Sequence, residues 1–294
     1  MNTSLASRAG IAYLEAMNSH IDNTDLPKLA GASRQVRQIG LVNWLGLYTL
    51  LSKEIRRFLK VPLQTVFAPM MTTMLFLAIF TLAFGSGERY VGDIPYANFL
   101  GPGLIMMSVI QNSFANTSSS ILISKVQGNI VDILMPPLSA SELTFAFALS
   151  GLARGLTVAV AVSFCMWLLI DLTVYSWAAV LYFVIGAGLM LSLLGSIGGI
   201  ISDKFDHMAA MTNFVIMPLS FLSGTFYSID RLTGVWYQIS HFNPFFYMID
   251  GFRYGFIGTS DSSIWVGAVV IAVIDIILYL VVWLLIKRGY QLKA

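Results

Sequence analysis

Six stretches of this chain, each about 20 residues or longer, run almost free of charge: 63–84, 99–123, 143–170, 177–201, 209–229 and 264–286. About 20 mostly apolar residues in a helix cover the hydrocarbon core of a bilayer. Lipid admits only structures that satisfy their backbone polar groups internally, so a chain with this pattern crosses as helices. The expected fold is an all-α polytopic membrane protein with six transmembrane helices. Composition agrees: 57% of the residues are hydrophobic and only 11% charged, against about 25% charged in soluble domains. A soluble fold could not cover its surface with so few charges. The reading divides the chain into a polar cytoplasmic tail over 1–40, an amphipathic interface helix over 41–62 and a six-helix membrane domain over 63–294.

The tail holds no 7–15-residue apolar core followed by a small-residue cleavage site, so a cleavable signal peptide is not expected. A short helix around 11–17 is compatible with its pattern. The net charge of +2 is too small to suggest a nucleic-acid partner. Cys165 is the sole cysteine, which excludes an internal disulfide and a cysteine-rich metal site. Orientation follows from the basic residues flanking the runs. With the N-terminus inside, the cytoplasmic flanks hold Lys53, Arg56, Arg57, Lys60, Lys125, Lys204, Lys287, Arg288 and Lys293. The other side holds Arg89, Arg231 and Arg253. Both termini are therefore expected in the cytoplasm.

The second run is polar in its latter half, with Gln111, Asn112 and Ser113 followed by Asn116 and four consecutive hydroxyl residues. Such a helix belongs inside a bundle, because unpaired amides in hydrocarbon are costly. Its polar groups either bond neighbouring helices or line a water-accessible path. Two charges sit inside the runs, Arg154 and Asp275, each about 11 residues in and hence roughly 16 Å deep at 1.5 Å per residue. A charge there costs at least ~2.5 kcal/mol unless paired or hydrated. The expectation is a buried ion pair joining the third and sixth helices, with a proton-relay carboxylate at Asp275 as the competing reading.

Before the first run, 41–60 places Leu41, Trp44, Leu45, Tyr48, Leu51, Ile55, Phe58 and Leu59 on one helical stripe. Asn43, Lys53, Arg56, Arg57 and Lys60 lie opposite. This describes a helix in the cytoplasmic interface, drawn to anionic headgroups. It serves as a surface anchor or as a lever that touches a partner. Between the second and third runs, Ile130, Ile133 and Leu134 form a one-sided apolar stripe that Pro136-Pro137 terminates. A short amphipathic helix on a tight loop suits docking into a groove. The outer connection over 230–263 is rich in aromatics and reads as short interfacial or re-entrant helices broken at Asn243-Pro244.

Chemistry-bearing motifs are absent: no GxxxxGK[ST] phosphate loop, no HExxH, no GxSxG and no Cys/His metal spacing. His20, His207 and His241 fall in three separate regions, so neither a metal site nor an enzyme is expected. Gly151/Gly155, Gly195/Gly199 and Gly251/Gly255 permit close helix approach.

Three segments resemble the ABC-2 type transporter membrane subunits. Residues 127–139, Gln-Gly-Asn-Ile-Val-Asp-Ile-Leu-Met-Pro-Pro-Leu-Ser, look like the family's first inner loop. The run 217–224, ending in Ser223-Gly224, is similar to its fifth span. Asn243-Pro244 with Tyr247, Asp250-Gly251 and Arg253 is similar to its outer re-entrant signature. By that resemblance the chain is a bacterial inner-membrane permease subunit of an exporter of hydrophobic, amphipathic or lipid-linked glycan cargo. It would work as a homodimer with two copies of a nucleotide-binding ATPase subunit, which would carry the ATP and Mg. Gln127, Gly128, Asn129, Ile130, Asp132, Ile133, Leu134 and Met135 would couple to that ATPase. Relatives often carry Glu shortly before the loop glycine, where this chain has Lys125, Val126 and Gln127. Spans one, two and five would line the path, with Gln111, Asn112, Asn116 and Asn213 facing it. An ion-coupled secondary transporter is the alternative, and a purely structural factor the third reading.

Overall fold

The computed structural model describes residues 40–84, 90–92, 94–229 and 232–292. The tail before Gly40, with its helix around 11–17 and His20, lies outside the described residues, as do Arg89, Arg231 and Lys293. Residues Asn43–Ala294 form one compact unit. It is a helical bundle; among the described residues the sole sheet is a two-residue hairpin, β1 (Tyr90–Val91) against β2 (Ile94–Pro95).

Helix α1 (Trp44–Leu59) leads through a π-helical turn, Leu63–Phe67, into α2 (Ala68–Phe84). Helix α3 (Tyr96–Val126) is 31 residues long, about 46 Å at 1.5 Å per residue. A short α4 (Ile130–Leu134) precedes α5 (Ala140–Leu169) and α6 (Trp177–Ile201). Then come α7 (Phe205–Met211), a second π turn (Thr212–Ile216), α8 (Met217–Leu222), α9 (Val235–Phe242), α10 (Pro244–Ile257) and α11 (Ile264–Arg288). Among the described residues, four helical segments are long and apolar enough to cross a membrane: Leu63–Leu82, Ala140–Leu169, Trp177–Ile201 and Ile264–Arg288.

Helix α3 falls outside that set because of its polarity, and its position explains the polarity. It packs against α2, α5, α6 and α10, and Leu104, Ile105, Ile110 and Phe114 are all but fully buried along it. Ser113, Asn116, Thr117 and Ser118 are also fully buried. Most of these polar groups are satisfied within the bundle, as buried polar groups must be: Thr117 Oγ1 donates to Ser192 O at 2.7 Å and Asn116 Nδ2 to Ser150 Oγ at 3.2 Å. Helix α6 comes close to α5 at Gly151 and to α3 at Gly199. A Cβ on Gly151 would collide with Ser192, and one on Gly199 would stand 2.8 Å from Ser118 O.

The outer shell is the reverse. On α11, Trp265, Val269, Val273, Ile276, Ile277 and Leu280 are exposed, as are Met71, Leu75, Ile79 and Leu82 on α2. A continuous apolar surface of this kind has its complement in lipid. The expected helix over 209–229 is shorter than hydropathy suggested. It begins at Phe205, passes through the π turn and ends at Leu222, because Gly224 adopts φ +74°. The left-handed region ends helices readily and favours glycine.

Candidate functional site

The hairpin between α3 and α5 turns on Gly128, at φ +76°. Pro136-Pro137 closes α4, and Ser139 opens α5 with a capping box: its hydroxyl accepts from Glu142 N, while its own N–H donates to the Glu142 carboxylate. The same carboxylate accepts from Asn43 N at 2.5 Å, and Asn43 Nδ2 donates to Pro137 O at 3.2 Å. One glutamate thus caps α5 and clasps the start of α1. The apolar stripe expected to enter a partner groove faces the other way. Ile130 and Ile133 are buried, and Leu134 packs with them against Leu47, Leu50, Leu143 and Phe147. The outward edge of the hairpin is instead Val126, Gln127, Gly128, Asn129, Val131, Asp132 and Met135, all exposed. A five-residue helix in contact with a bundle buries its larger apolar groups there first, since that surface is always present.

Lys125 is engaged within the chain. Its ammonium donates to Ile200 O at 2.7 Å and Ser202 O at 2.8 Å, and pairs with Asp203 at 3.3 Å. A cation at the C-terminal carbonyls of α6 suits the helix dipole.

Helix α1 has three faces rather than two. Leu47, Leu50, Glu54 and Phe58 are buried against the bundle, while Trp44, Leu45, Tyr48 and Leu59 are exposed and apolar. Lys53, Arg56 and Lys60 occupy the remaining exposed arc. Buried Glu54 accepts from Arg57 Nε at 3.0 Å and from Ser120 Oγ at 2.7 Å. Arg57 Nη2 reaches Asn116 O at 2.8 Å and Asn116 Oδ1 at 3.1 Å. Through Asn116 the chain of bonds continues to Ser150 on α5. A carboxylate on the buried face of an otherwise apolar stripe was the signal for this network, and the stripe reading passed over it.

One turn further along α3, Asn112 Oδ1 accepts from Arg154 Nη2 at 3.1 Å, and Ser108 shares a 2.7 Å hydrogen bond with Thr73 on α2. Gln111, Asn112, Ser108, Thr73 and Thr212 line a cleft of about 310 Å³ between α2, α3 and the second π turn. Of the expected path residues, Gln111 and Asn112 lie in it. Asn116 is sealed in the network above, and Asn213 is exposed beside Thr212. The expected Arg154–Asp275 ion pair is not formed. Arg154 points to α3, whereas the Asp275 carboxylate lies at α6 near Gly186, with a buried Oδ1 that has no hydrogen-bond partner. Equal depth along two helices says nothing about which way each side chain turns around its helix axis.

At the other end, Asn243 caps α10 through Phe245 N and donates from Nδ2 to Leu219 O at 2.9 Å and Ser223 Oγ at 2.8 Å. Arg253 Nη2 donates to Gly224 O at 2.6 Å, and its guanidinium stacks 3.9 Å from the Phe99 ring centroid. Asp250 accepts from Asp261 N, Ser262 N and the Ser262 hydroxyl. Gly251 lies against the Phe183 ring, and Tyr247 against Gly267. Asn243 and Arg253 thus hold the end of α8, and Asp250 the start of α11.

The profile of the ABC-2 type transporter family matches residues 46–257, from α1 to the end of α10. This chain belongs to the ABC-2 type transporter family. It is 36% identical over 251 residues to the inner membrane transport permease YadH of Escherichia coli K12, an alignment covering 85% of this chain and 98% of YadH. The YadH proteins of Escherichia coli O157:H7 and Shigella flexneri align with the same identity and coverage. As an ABC-2 transporter the chain is a membrane transport permease, not an enzyme, and permeases of this family work with an ATPase partner. The match takes in the clasped hairpin, the polar cleft and the outer signature alike.

Proposed function

We propose that this chain is the membrane-spanning subunit of an ATP-driven exporter in the bacterial inner membrane. In this reading α2, α3, α5, α6, α7–α8 and α11 are six spans with both chain ends cytoplasmic, and α9 and α10 re-enter from the outer side. The chain pairs with a second copy and with two nucleotide-binding subunits, which bring the ATP and Mg. The carrying observation is the hairpin over 126–135. It presents Val131, Asp132 and Met135 outward while Ile130 and Ile133 root it in the bundle. A docking element must be exposed on one side and rigidly held on the other, or a push upon it is dissipated locally.

Closure of the nucleotide-binding subunits would move this hairpin. Through the Glu142–Asn43 clasp the motion passes to α1, and through Arg57–Asn116 it reaches α3 beside the cleft. Such a change follows only if the ATPase binds two arrangements of the hairpin with different affinity. The cleft is lined by residues of α2, α3 and the second π turn, which belong to the first, second and fifth spans of this reading, and that supports it as the path for a hydrophobic, amphipathic or lipid-linked glycan cargo. The ion-coupled alternative has weaker support, because Asp275 does not line the cleft.

Co-expression with the P-loop subunit encoded nearest to it tests the reading. The two should co-purify, and the permease should stimulate ATP hydrolysis. Transport driven by an ion gradient in vesicles that lack any ATPase subunit would overturn it.

A further inference from the structure

The two π turns are built alike. The turn Leu63–Phe67 is followed two residues later by Pro69, and Thr212–Ile216 is followed two residues later by Pro218. Each closes on the same bond to the carbonyl five residues back, from Ala68 N to Leu63 O and from Met217 N to Thr212 O. A threonine hydroxyl ties each turn to what precedes it: Thr65 donates to Phe58 O and Val61 O, and Thr212 to Met208 O. Gln64 and Asn213 also correspond, each five residues before its proline. Proline accounts for part of this, since its ring crowds the carbonyl four residues back and offers it no N–H. It does not account for all, because Pro102 sits inside α3 and that helix stays α-helical through it.

Both turns stand between the hairpin over 126–135 and the cleft. Ahead of the first, α1 is joined to the hairpin by the Glu142–Asn43 clasp. Ahead of the second, the segment around 200–203 that leads into α7 is joined to it by Lys125. At the cleft itself, Gln64, Pro69, Thr72 and Thr73 come from the first turn and its span, and Thr212 from the second turn. The helices beyond the turns are loosely seated. Among the described residues, Thr73 and Leu77 are the buried ones of α2, and Ser220 that of α8. Such helices can rotate about their axes without emptying the core, whereas α1, seated through Leu47, Leu50 and Phe58, cannot.

We propose that the two π turns are a matched pair of hinges, which close into α-helix when the hairpin is displaced, with Pro69 and Pro218 as the positioning residues that hold them open at rest. A π turn carries one residue more than the α-helix needs. Taking that residue up turns the helix beyond by about 100° and shifts it by about 1.5 Å. On α2 the rotation breaks the Thr73–Ser108 hydrogen bond and carries Thr72 and Thr73 off the cleft wall. Each proline opposes the closed form, so the turn reopens once the hairpin is released. The inference rests on the exporter reading and deepens it by naming where the stroke of the hairpin becomes a change of the cleft.

Distances between paired spin labels in the full-length chain, on a Cys165→Ser background, test this. Lys53→Cys with Leu75→Cys spans the first turn, Lys204→Cys with Phe221→Cys the second, and Trp265→Cys with Leu280→Cys lies within the unbroken α11. With the co-purified P-loop subunit and a non-hydrolysable ATP analogue, the first two distances should change by about 5 Å or more, as a 100° turn at the radius of a helix implies. The third should stay fixed. Pro69→Ala and Pro218→Ala should each lock the corresponding pair at one distance with or without nucleotide. Each should retain the P-loop subunit yet lower its stimulated ATP hydrolysis by about fivefold or more, the low end of coupling between distant sites. Pro102→Ala should match the wild type in every measurement, and an effect there equal to that of Pro69→Ala would overturn the special role of the π turns. Fixed distances across both turns in a wild-type complex whose ATP hydrolysis is stimulated would overturn the hinges. In the isolated chain Pro69→Ala alone should shift the Lys53–Leu75 label distance; an unchanged distance there sinks the first hinge whatever becomes of the exporter reading. Failure of the wild-type chain to bind or stimulate the P-loop subunit sinks the exporter reading instead.

Discussion

The two ends of the bundle are tied by different kinds of bond. At the end that holds α9 and α10, Asn243, Arg253 and Asp250 reach largely for backbone groups: Leu219 O, Gly224 O, Asp261 N and Ser262 N. At the end that holds α1 and the 126–135 hairpin, Glu54, Arg57, Asn116, Ser120 and Ser150 mostly bond one another through side chains. A backbone partner is fixed by the fold, so the first kind of bond holds one arrangement. Side-chain partners can be exchanged by rotamer changes, so the second kind permits alternatives at similar energy. The comparison assigns the α9–α10 end to scaffold and the α1 end to motion.

The largest effect is expected at the scaffold. Asn243→Ala removes a helix cap and the amide donor to Ser223 Oγ and Leu219 O, of which Leu219 O keeps the Ser223 hydroxyl, a loss of about 2–3 kcal/mol from the cap and the lost bonds together. Unfolding of the purified protein in detergent should show it, and an unchanged midpoint would break the contrast at once. Glu54→Gln retains the shape and an acceptor for Ser120 while dropping the charge opposite Arg57. A stability loss of about 1–2 kcal/mol is expected, together with a fall in partner-stimulated ATP hydrolysis greater than the loss of folded protein explains. Activity that merely tracks the folded fraction would return Glu54 to the scaffold. Ser139→Ala should cost about 1 kcal/mol by removing a cap and loosen the clasp, seen as faster hydrogen exchange at Asn43. Met135→Lys is expected to change stability least, within about 0.5 kcal/mol for an exposed position. It should nonetheless reduce co-purification with the ATPase subunit; full retention would remove the exposed edge from the docking surface.

Much of the helical layout was legible because the apolar runs are long and nearly uncharged. The run over 177–201 is helix α6 from end to end, and the polar second run is indeed interior. Hydropathy carried the fifth run on to 229, although Ser223-Gly224 already contained the turn. Sequence depth placed Arg154 and Asp275 inside their helices but could not give their rotational setting, so the ion pair was drawn between residues that face different neighbours. The Asn43–Glu142 clasp joins positions 99 apart, and nothing local marks either partner for the other. Glu54 could have been found, since a carboxylate among Leu47, Leu50 and Phe58 at helical spacing demands a buried partner. The inward turn of Ile130 and Ile133 could not, because an apolar stripe looks the same whether its complement is a partner or its own bundle.

Lys125 carries a consequence for compatibility. By closing the end of α6 it splices the hairpin between α3 and α5 to the segment around 200–203, so the two make a single interchangeable cassette. A chimaera built to accept a foreign ATPase by transplanting 125–139 alone would carry in a lysine or an acid cut for a different neighbour. Transplanting both stretches together keeps that joint matched, and natural changes of ATPase partner should likewise alter both stretches in concert.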